Sequence, residues 1–201
     1  MHRRTLDIIF SAGALVLAGL LLILGLVLQN QADFAKTYVH DQLSAQRITF
    51  TPAKFLAPEE KAACLKENAG KALTTGKQAE CYANEYIALH LSEINDGKTY
   101  SETSTESRAL AEEAAAATKA GAANAADLNT QAKALDGKVQ TLFRGETLRG
   151  LLLTSYGFSI FGERAQQAAW VAFAVALVLF LAAIAGFIHA FTTSKEKTVN
   201  L

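Results

Sequence analysis

Ile8-Ile9-Phe10-Ser11-Ala12-Gly13-Ala14-Leu15-Val16-Leu17-Ala18-Gly19-Leu20-Leu21-Leu22-Ile23-Leu24-Gly25-Leu26-Val27-Leu28 holds 21 residues without a Lys, Arg, Asp or Glu. A hydrocarbon layer about 30 Å thick needs about 20 apolar residues at 1.5 Å rise, so this run is long enough to cross a bilayer as a helix. A second uncharged run, residues 168–191, has 24 residues. Two spans put everything between them on one side of the membrane. The expected fold class is therefore an all-α membrane protein with two terminal transmembrane helices and an intervening extracytoplasmic, mainly helical domain.

Arg3 and Arg4 precede the first run, and Lys195 and Lys197 follow the second. The positive-inside rule places both ends in the cytoplasm and the central domain outside, at the cell membrane. The first run exceeds the apolar region of a secretory signal, and Leu28-Gln29-Asn30-Gln31-Ala32-Asp33 offers no A-x-A-like cleavage site, which predicts an uncleaved signal anchor. Arg3-Arg4 lacks the flanking consensus of a twin-arginine signal. With 19 basic and 19 acidic residues the chain has no net charge and no nucleic-acid footprint.

Both cysteines, Cys64 and Cys81, fall in the outward domain, where oxidation is permitted. A disulfide between them is expected. The 16 residues separating them argue against a CxxC redox site, and His40 and His90 stand apart from them in sequence, so no zinc set forms.

The boundaries that follow are 1–7 cytoplasmic, 8–28 first span, 29–95 an extracytoplasmic subdomain with an αα-hairpin, 96–127 an Ala-rich spacer or helix, 128–167 a membrane-returning helix with an interfacial segment, 168–191 second span and 192–201 cytoplasmic. Beyond Leu28 the helix continues, because Phe34, Tyr38 and Val39 keep helical spacing with no breaker before Ile48-Thr49-Phe50-Thr51-Pro52, which reads as extended. Pro58-Glu59-Glu60 predicts a helix start, ended by Gly70 or Gly76. From Lys77 to Asn95, Ala79, Tyr82, Tyr86 and Leu89 form one stripe with Ala83, Ile87 and Ile94 beside it. Thr103 and Glu106 predict a capping box in the Ala-rich stretch, with Gly121 interrupting it, and this stretch is expected to be the mobile one. Leu128, Ala132, Leu135, Val139 and Leu142 alternate steps of four and three, a helix-packing seam.

Residues 150–162 are uncharged but too short to span, which predicts a segment lying along the outer leaflet or folded against the spans; the competing reading is a core helix of the outward domain. Arg144 and Arg149 would mark its polar boundary, with Leu152, Tyr156, Phe158 and Phe161 in the interface and Trp170 in the outer aromatic belt. Small residues at four-residue intervals predict membrane-helix packing through Ala14 and Ala18 in the first span and Ala172, Ala176, Ala182 and Gly186 in the second.

Arg3-Arg4-Thr5-Leu6-Asp7, Thr74-Thr75-Gly76-Lys77-Gln78-Ala79-Glu80-Cys81-Tyr82 and Gly145-Glu146-Thr147-Leu148-Arg149-Gly150-Leu151-Leu152 resemble an uncharacterised family of actinobacterial membrane proteins with two terminal spans and an extracytoplasmic region. The resemblance leaves the Ala-rich middle unmatched. Some members carry an aromatic-ring-opening dioxygenase label, but this chain lacks the His and carboxylate cluster that a non-haem iron site needs. The resemblance implies no catalytic residue.

No G-x-S-x-G elbow, phosphate loop or H-E-x-x-H pair occurs. Glu80, Glu85 and Glu93 read as solvated acids, and Ser155 and Tyr156 have no accompanying base. No cofactor, metal site or catalytic residue is expected. The function expected is that of a non-enzymatic accessory or scaffold subunit, with the lipid bilayer and other membrane or envelope proteins as partners and a homo-oligomer compatible with the small-residue faces. An extracytoplasmic ligand sensor signalling through a membrane partner is the alternative, and an envelope enzyme with an unrecognised site the second.

Overall fold

The computed structural model describes residues 2–193, so Lys195 and Lys197 lie outside the described residues. Among these residues the chain is all-helical. The helices are α1 (Arg3–Ala45), α2 (Ala63–Asn68), α3 (Gly76–Cys81), α4 (Ala88–Ser92), α5 (Tyr100–Ala120) and α6 (Ala125–Thr192). Short 3-10 turns lie at Ala53–Phe55 and Ile94–Gly97, and a π-helical turn, Tyr82–Ile87, joins α3 to α4. The chain divides into two compact units, one comprising the residues up to Tyr38 and from Ser159, the other Val39–Phe158.

In the first unit α1 and α6 form an antiparallel pair. Gly162 meets Ala35, Gly25 meets Phe173, and Gly186 meets Ser11, so partner numbers fall on one helix as they rise on the other. The residues turned inward on α1 are Ser11, Ala14, Ala18, Leu21, Gly25, Leu28, Ala32 and Ala35, in strict steps of three and four. Those on α6 include Ala169, Ala172, Ala176, Leu179, Ala183, Gly186 and Ala190, with the same rhythm. A mean repeat of 3.5 keeps one seam facing the partner, and small side chains let the backbones approach. Both helices outrun a bilayer: at 1.5 Å per residue, 43 and 68 residues make about 64 and 102 Å.

The second unit is built around Val39, Leu43, Phe50, Leu65, Leu73, Ala79, Ala83, Ile87, Leu91, Leu142 and Leu152. Residues 48–50 are extended, as their alternation predicts, and pair with 70–73: the Phe50 amide donates to the Lys71 carbonyl (3.0 Å) and the Leu73 amide to the Ile48 carbonyl (2.9 Å). Gly70 stands at φ +73°, a conformation that costs a Cβ-bearing residue energy, and it turns the chain after α2.

Several local expectations are corrected. Pro58-Glu59-Glu60 does not begin a helix, because the Glu60 carboxylate turns back to accept the Ala57 amide (2.7 Å) and α2 starts only at Ala63. Of the two glycines expected to end the helix, Gly70 follows α2, and Gly76 opens α3 under a capping box in which Thr75 and Gln78 satisfy each other's amides. On the following helical stretch the expected broad face packs on the core, with Ala79, Ala83, Ile87 and Leu91 as its fully buried row and Tyr82, Tyr86 and Ile94 partly buried beside it. Steps of four advance 40° per step around a 3.6-residue helix; the wider π turn absorbs that drift.

Of the two readings of the Ala-rich stretch, spacer or helix, most of it forms α5, and its capping box is Thr99 with Glu102, four residues before the expected pair. Thr103 is instead fully buried and accepts a bond from the Asn95 side-chain amide (3.2 Å). Gly121 ends the helix in a left-handed C-cap at φ +61°. Thr99→Ala is expected to destabilise this helix by about 1 kcal/mol, read as faster amide exchange in its first turn.

Candidate functional site

Two polar pairs bracket the hairpin of the first unit. At one end His189 Nδ1 donates to Asp7 Oδ2 (2.9 Å). At the other the Gln29 and Gln166 carboxamides bond reciprocally, Gln29 Nε2 donating to Gln166 Oε1 (3.1 Å) and Gln166 Nε2 donating back to Gln29 Oε1. Asp7 and Gln29 are 22 residues apart and Gln166 and His189 are 23 apart, about 33 and 35 Å along the helices. The stretch between the brackets thus matches a hydrocarbon layer of about 30 Å. Over it the outward faces carry Phe10, Val16, Leu20, Ile23, Val171, Leu177, Val178 and Leu181, all exposed, while the seam is mostly Ala, Gly and Ser, with Leu21, Leu28 and Leu179 among them.

Ala14, Ala18, Ala172, Ala176 and Gly186 lie in this seam. A Cβ built on Gly186 would strike Ser11 Oγ, and one on Gly162 would sit 2.8 Å from Ala35 Cβ. Ala182 is exposed, and its neighbour Ala183 occupies the seam at 1% exposure. Ala168 likewise faces outward beside buried Ala169, because a row of fours drifts off a 3.5-residue seam.

The hydroxyl–imidazole–carboxylate order at Thr193, His189 and Asp7 invites comparison with a nucleophile triad. His189 Nε2 lies 3.5 Å from Thr193 Oγ1, but that hydroxyl donates to the His189 carbonyl (2.8 Å). Its proton is therefore not aimed at the ring. The arrangement closes the end of the hairpin and activates no nucleophile.

Residues 150–162 are not a separate interfacial segment. They are an interior stretch of α6: Leu152 belongs to the core of the second unit, as the core-helix reading has it, while Gly162, in the first unit, packs against Ala35 of α1. Four glycines in this region bend nothing out of the helix. Gly145 leaves room for Leu91, whose side chain occupies the space a Cβ would need, while Gly150 and Gly157 adjoin open space. Arg149 Nη1 meets Glu146 Oε2 (3.3 Å) and Nη2 meets Asn84 Oδ1 (3.4 Å). Tyr156 accepts from Lys77 Nζ (3.3 Å), which also lies over its ring. That hydroxyl, with Glu80, holds the Lys77 ammonium above its ordinary range. Arg144, Phe158, Phe161 and Trp170 are exposed.

Cys64 and Cys81 form a disulfide joining α2 to α3, and both line an open recess of about 460 Å³ with Glu67, Lys77, Glu80 and Asn84. Among the described residues no group of three or more His, Cys, Asp or Glu is placed to hold a metal ion. An aromatic column rises from the core: Phe50 packs edge-on to Tyr82 (5.2 Å), Tyr82 stacks on Tyr86 (4.7 Å), and Tyr86 meets His90 (4.4 Å). Burial, ahead of the neighbouring Tyr86 and Glu60 charges, raises the Tyr82 hydroxyl above its usual range.

The α5 entry carries an exposed charge network. Lys98 Nζ meets Glu106 Oε1 (2.5 Å), Asn95 Nδ2 donates to Glu106 Oε2 (3.1 Å), and Lys138 Nζ donates to Asn95 Oδ1 (3.2 Å). The Lys98 bond and then the Asn95 bond lower the Glu106 carboxyl; the Thr99 amide and hydroxyl lower that of Glu102. A carboxyl lowered in the folded state stabilises it above the unfolded value and loses that contribution as pH falls through the folded one. Acidification below the ordinary glutamate range, about 4.3, is thus expected to fray α5 from Tyr100 first, read by amide exchange.

The polar brackets were missed in the sequence because Asp7 and His189 lie outside or at the edge of the uncharged runs. Their signal is the matched spacing of Asp7 to Gln29 and Gln166 to His189. No protein-family model, curated protein or solved structure matches the chain.

Proposed function

We propose that this chain is a two-span membrane anchor that holds a disulfide-stapled helical domain on the outer side of the cell membrane and serves as a non-enzymatic accessory or scaffold subunit of a membrane or envelope complex. The observation that carries the reading is the bracketed hairpin: polar pairs about 33 Å apart, a small-residue seam within and large apolar side chains without. Lipid replaces the missing outer layer of a soluble bundle, since among the described residues 31 large hydrophobic side chains are exposed and most lie on these two stretches. The positive-inside rule orients it.

The anchor and its orientation are tested together by labelling single cysteines in intact cells with a membrane-impermeant maleimide, the native pair being oxidised. Thr130→Cys is expected to react and His2→Cys only after permeabilisation. Reaction of His2→Cys in sealed cells overturns the topology. The accessory role is tested by in-cell crosslinking from Thr130 at native expression, where recovery of the uncrosslinked chain alone counts against it.

A further inference from the structure

Glu60 is 4% exposed, and a buried carboxylate is costly unless hydrogen-bonded and paired with a charge. Its Oε2 accepts the Ala57 amide (2.7 Å), and its Oε1 lies 3.8 Å from His90 Nε2. On the other side of the ring, His90 Nδ1 is 2.8 Å from the Tyr86 carbonyl. A carbonyl only accepts, so Nδ1 carries a proton whenever this bond is made. In a neutral ring Nε2 then presents a lone pair to the carboxylate. Attraction across the pair requires a second ring proton.

We propose that Glu60 and His90 form a proton-binding site, a clamp that fastens the 57–60 turn to α4 when the imidazole is charged and releases it when the ring is neutral. The titratable groups facing the ring are Glu60 from the turn and Tyr86 from the π-helical turn, with Tyr82 beyond it in the same column. Tyr86 lies against the ring at 4.4 Å, where an aromatic face favours the cation over the neutral imidazole. The ring is 47% exposed, so protons reach it from solvent while the carboxylate stays buried. The clamp closes when the ring carries its second proton and opens when that proton leaves. Its lower limit is protonation of Glu60 itself, which removes the countercharge. This site does not depend on the membrane reading, because all its members lie within the second unit.

The Ala57 amide reports the clamp directly, because its hydrogen-bond acceptor is the Glu60 carboxylate. In the full chain in nanodiscs, hydrogen exchange at Ala57, corrected for the intrinsic pH dependence, is expected to be slower by about threefold with the ring charged than with it neutral, the factor for a half-exposed ion pair of about 0.65 kcal/mol. His90→Lys, which supplies a cation across the same range, is expected to protect Ala57 at every pH tested. His90→Gln is expected to give no pH-dependent protection. An unchanged pH profile in either variant overturns the clamp, as does a flat profile in the unsubstituted protein. Should His90→Gln not fold, the lysine variant decides alone.

Discussion

Ala183→Leu is expected to destabilise the hairpin by about 3 kcal/mol, whereas Ala182→Leu, one residue earlier, shifts it by less than about 0.5 kcal/mol. Ala183 is 1% exposed in a seam where the neighbouring positions are Leu179 and Gly186, so the three heavy atoms that leucine adds have nowhere to go but between two backbones. Close approach is what the seam provides, and an isobutyl group there forces the helices apart along several turns, losing dispersion contacts on both sides. Ala182 faces outward, where a leucine meets whatever covers Leu181 and Val178. Equilibrium unfolding in mixed micelles, followed by a probe of α1–α6 separation, measures both. Equal effects at the two positions would mean that the contact row follows steps of four, through Ala182, Gly186 and Ala190, and that the heptad seam is wrong.

The difference between those two rows shows what the sequence made legible. Two uncharged runs predict two long apolar helices, because nothing else satisfies so many backbone groups without polar side chains, and α1 and α6 contain them. The small residues were legible too, but not which of them face inward, because Ala is so common here that rows of four and steps of three and four both find examples. Geometry decides that only when two helices are together: antiparallel partners such as Ala35 with Gly162 and Ser11 with Gly186 fix the phase.

Within the second unit the core residues were easier to anticipate than the turns that deliver them. Leu128, Ala132, Leu135, Val139 and Leu142 are all buried or half-buried, since a 3.5 spacing needs no knowledge of the partner to identify a face. Local rules make Glu60 a helix-start acid, yet its carboxylate serves the preceding turn. Thr99 was passed over for Thr103 because both precede a glutamate by three residues, and only the positions of Asn95 and Lys98 show that Glu106 is already engaged. Side-chain competition of this kind is a tertiary property, and periodicity carries no trace of it.

Reduction of the Cys64–Cys81 bond is expected to destabilise the second unit by about 3 kcal/mol, the chain-entropy value for a closed loop of 18 residues. The loop it closes contains Gly70 at positive φ, the short pairing of 70–73 with 48–50, and the Thr75–Gln78 capping box. Each of these is made by backbone or by short side chains that remain after reduction, so the reduced unit keeps its helices and loses stability chiefly because its unfolded chain regains freedom. Leu65 and Ala79, buried next to the two cysteines in sequence, are the amides to follow: their exchange should accelerate by about 100-fold on reduction, the equivalent of about 3 kcal/mol, while amides of the bracketed hairpin stay within about twofold. A Cys64→Ala, Cys81→Ala double variant should match the reduced protein apart from the packing lost at Cys81, which is itself buried. Exchange at Leu65 and Ala79 that is indifferent to reductant would show that the unit is held by its core alone, and that the bond adds a covalent link without restricting the unfolded ensemble.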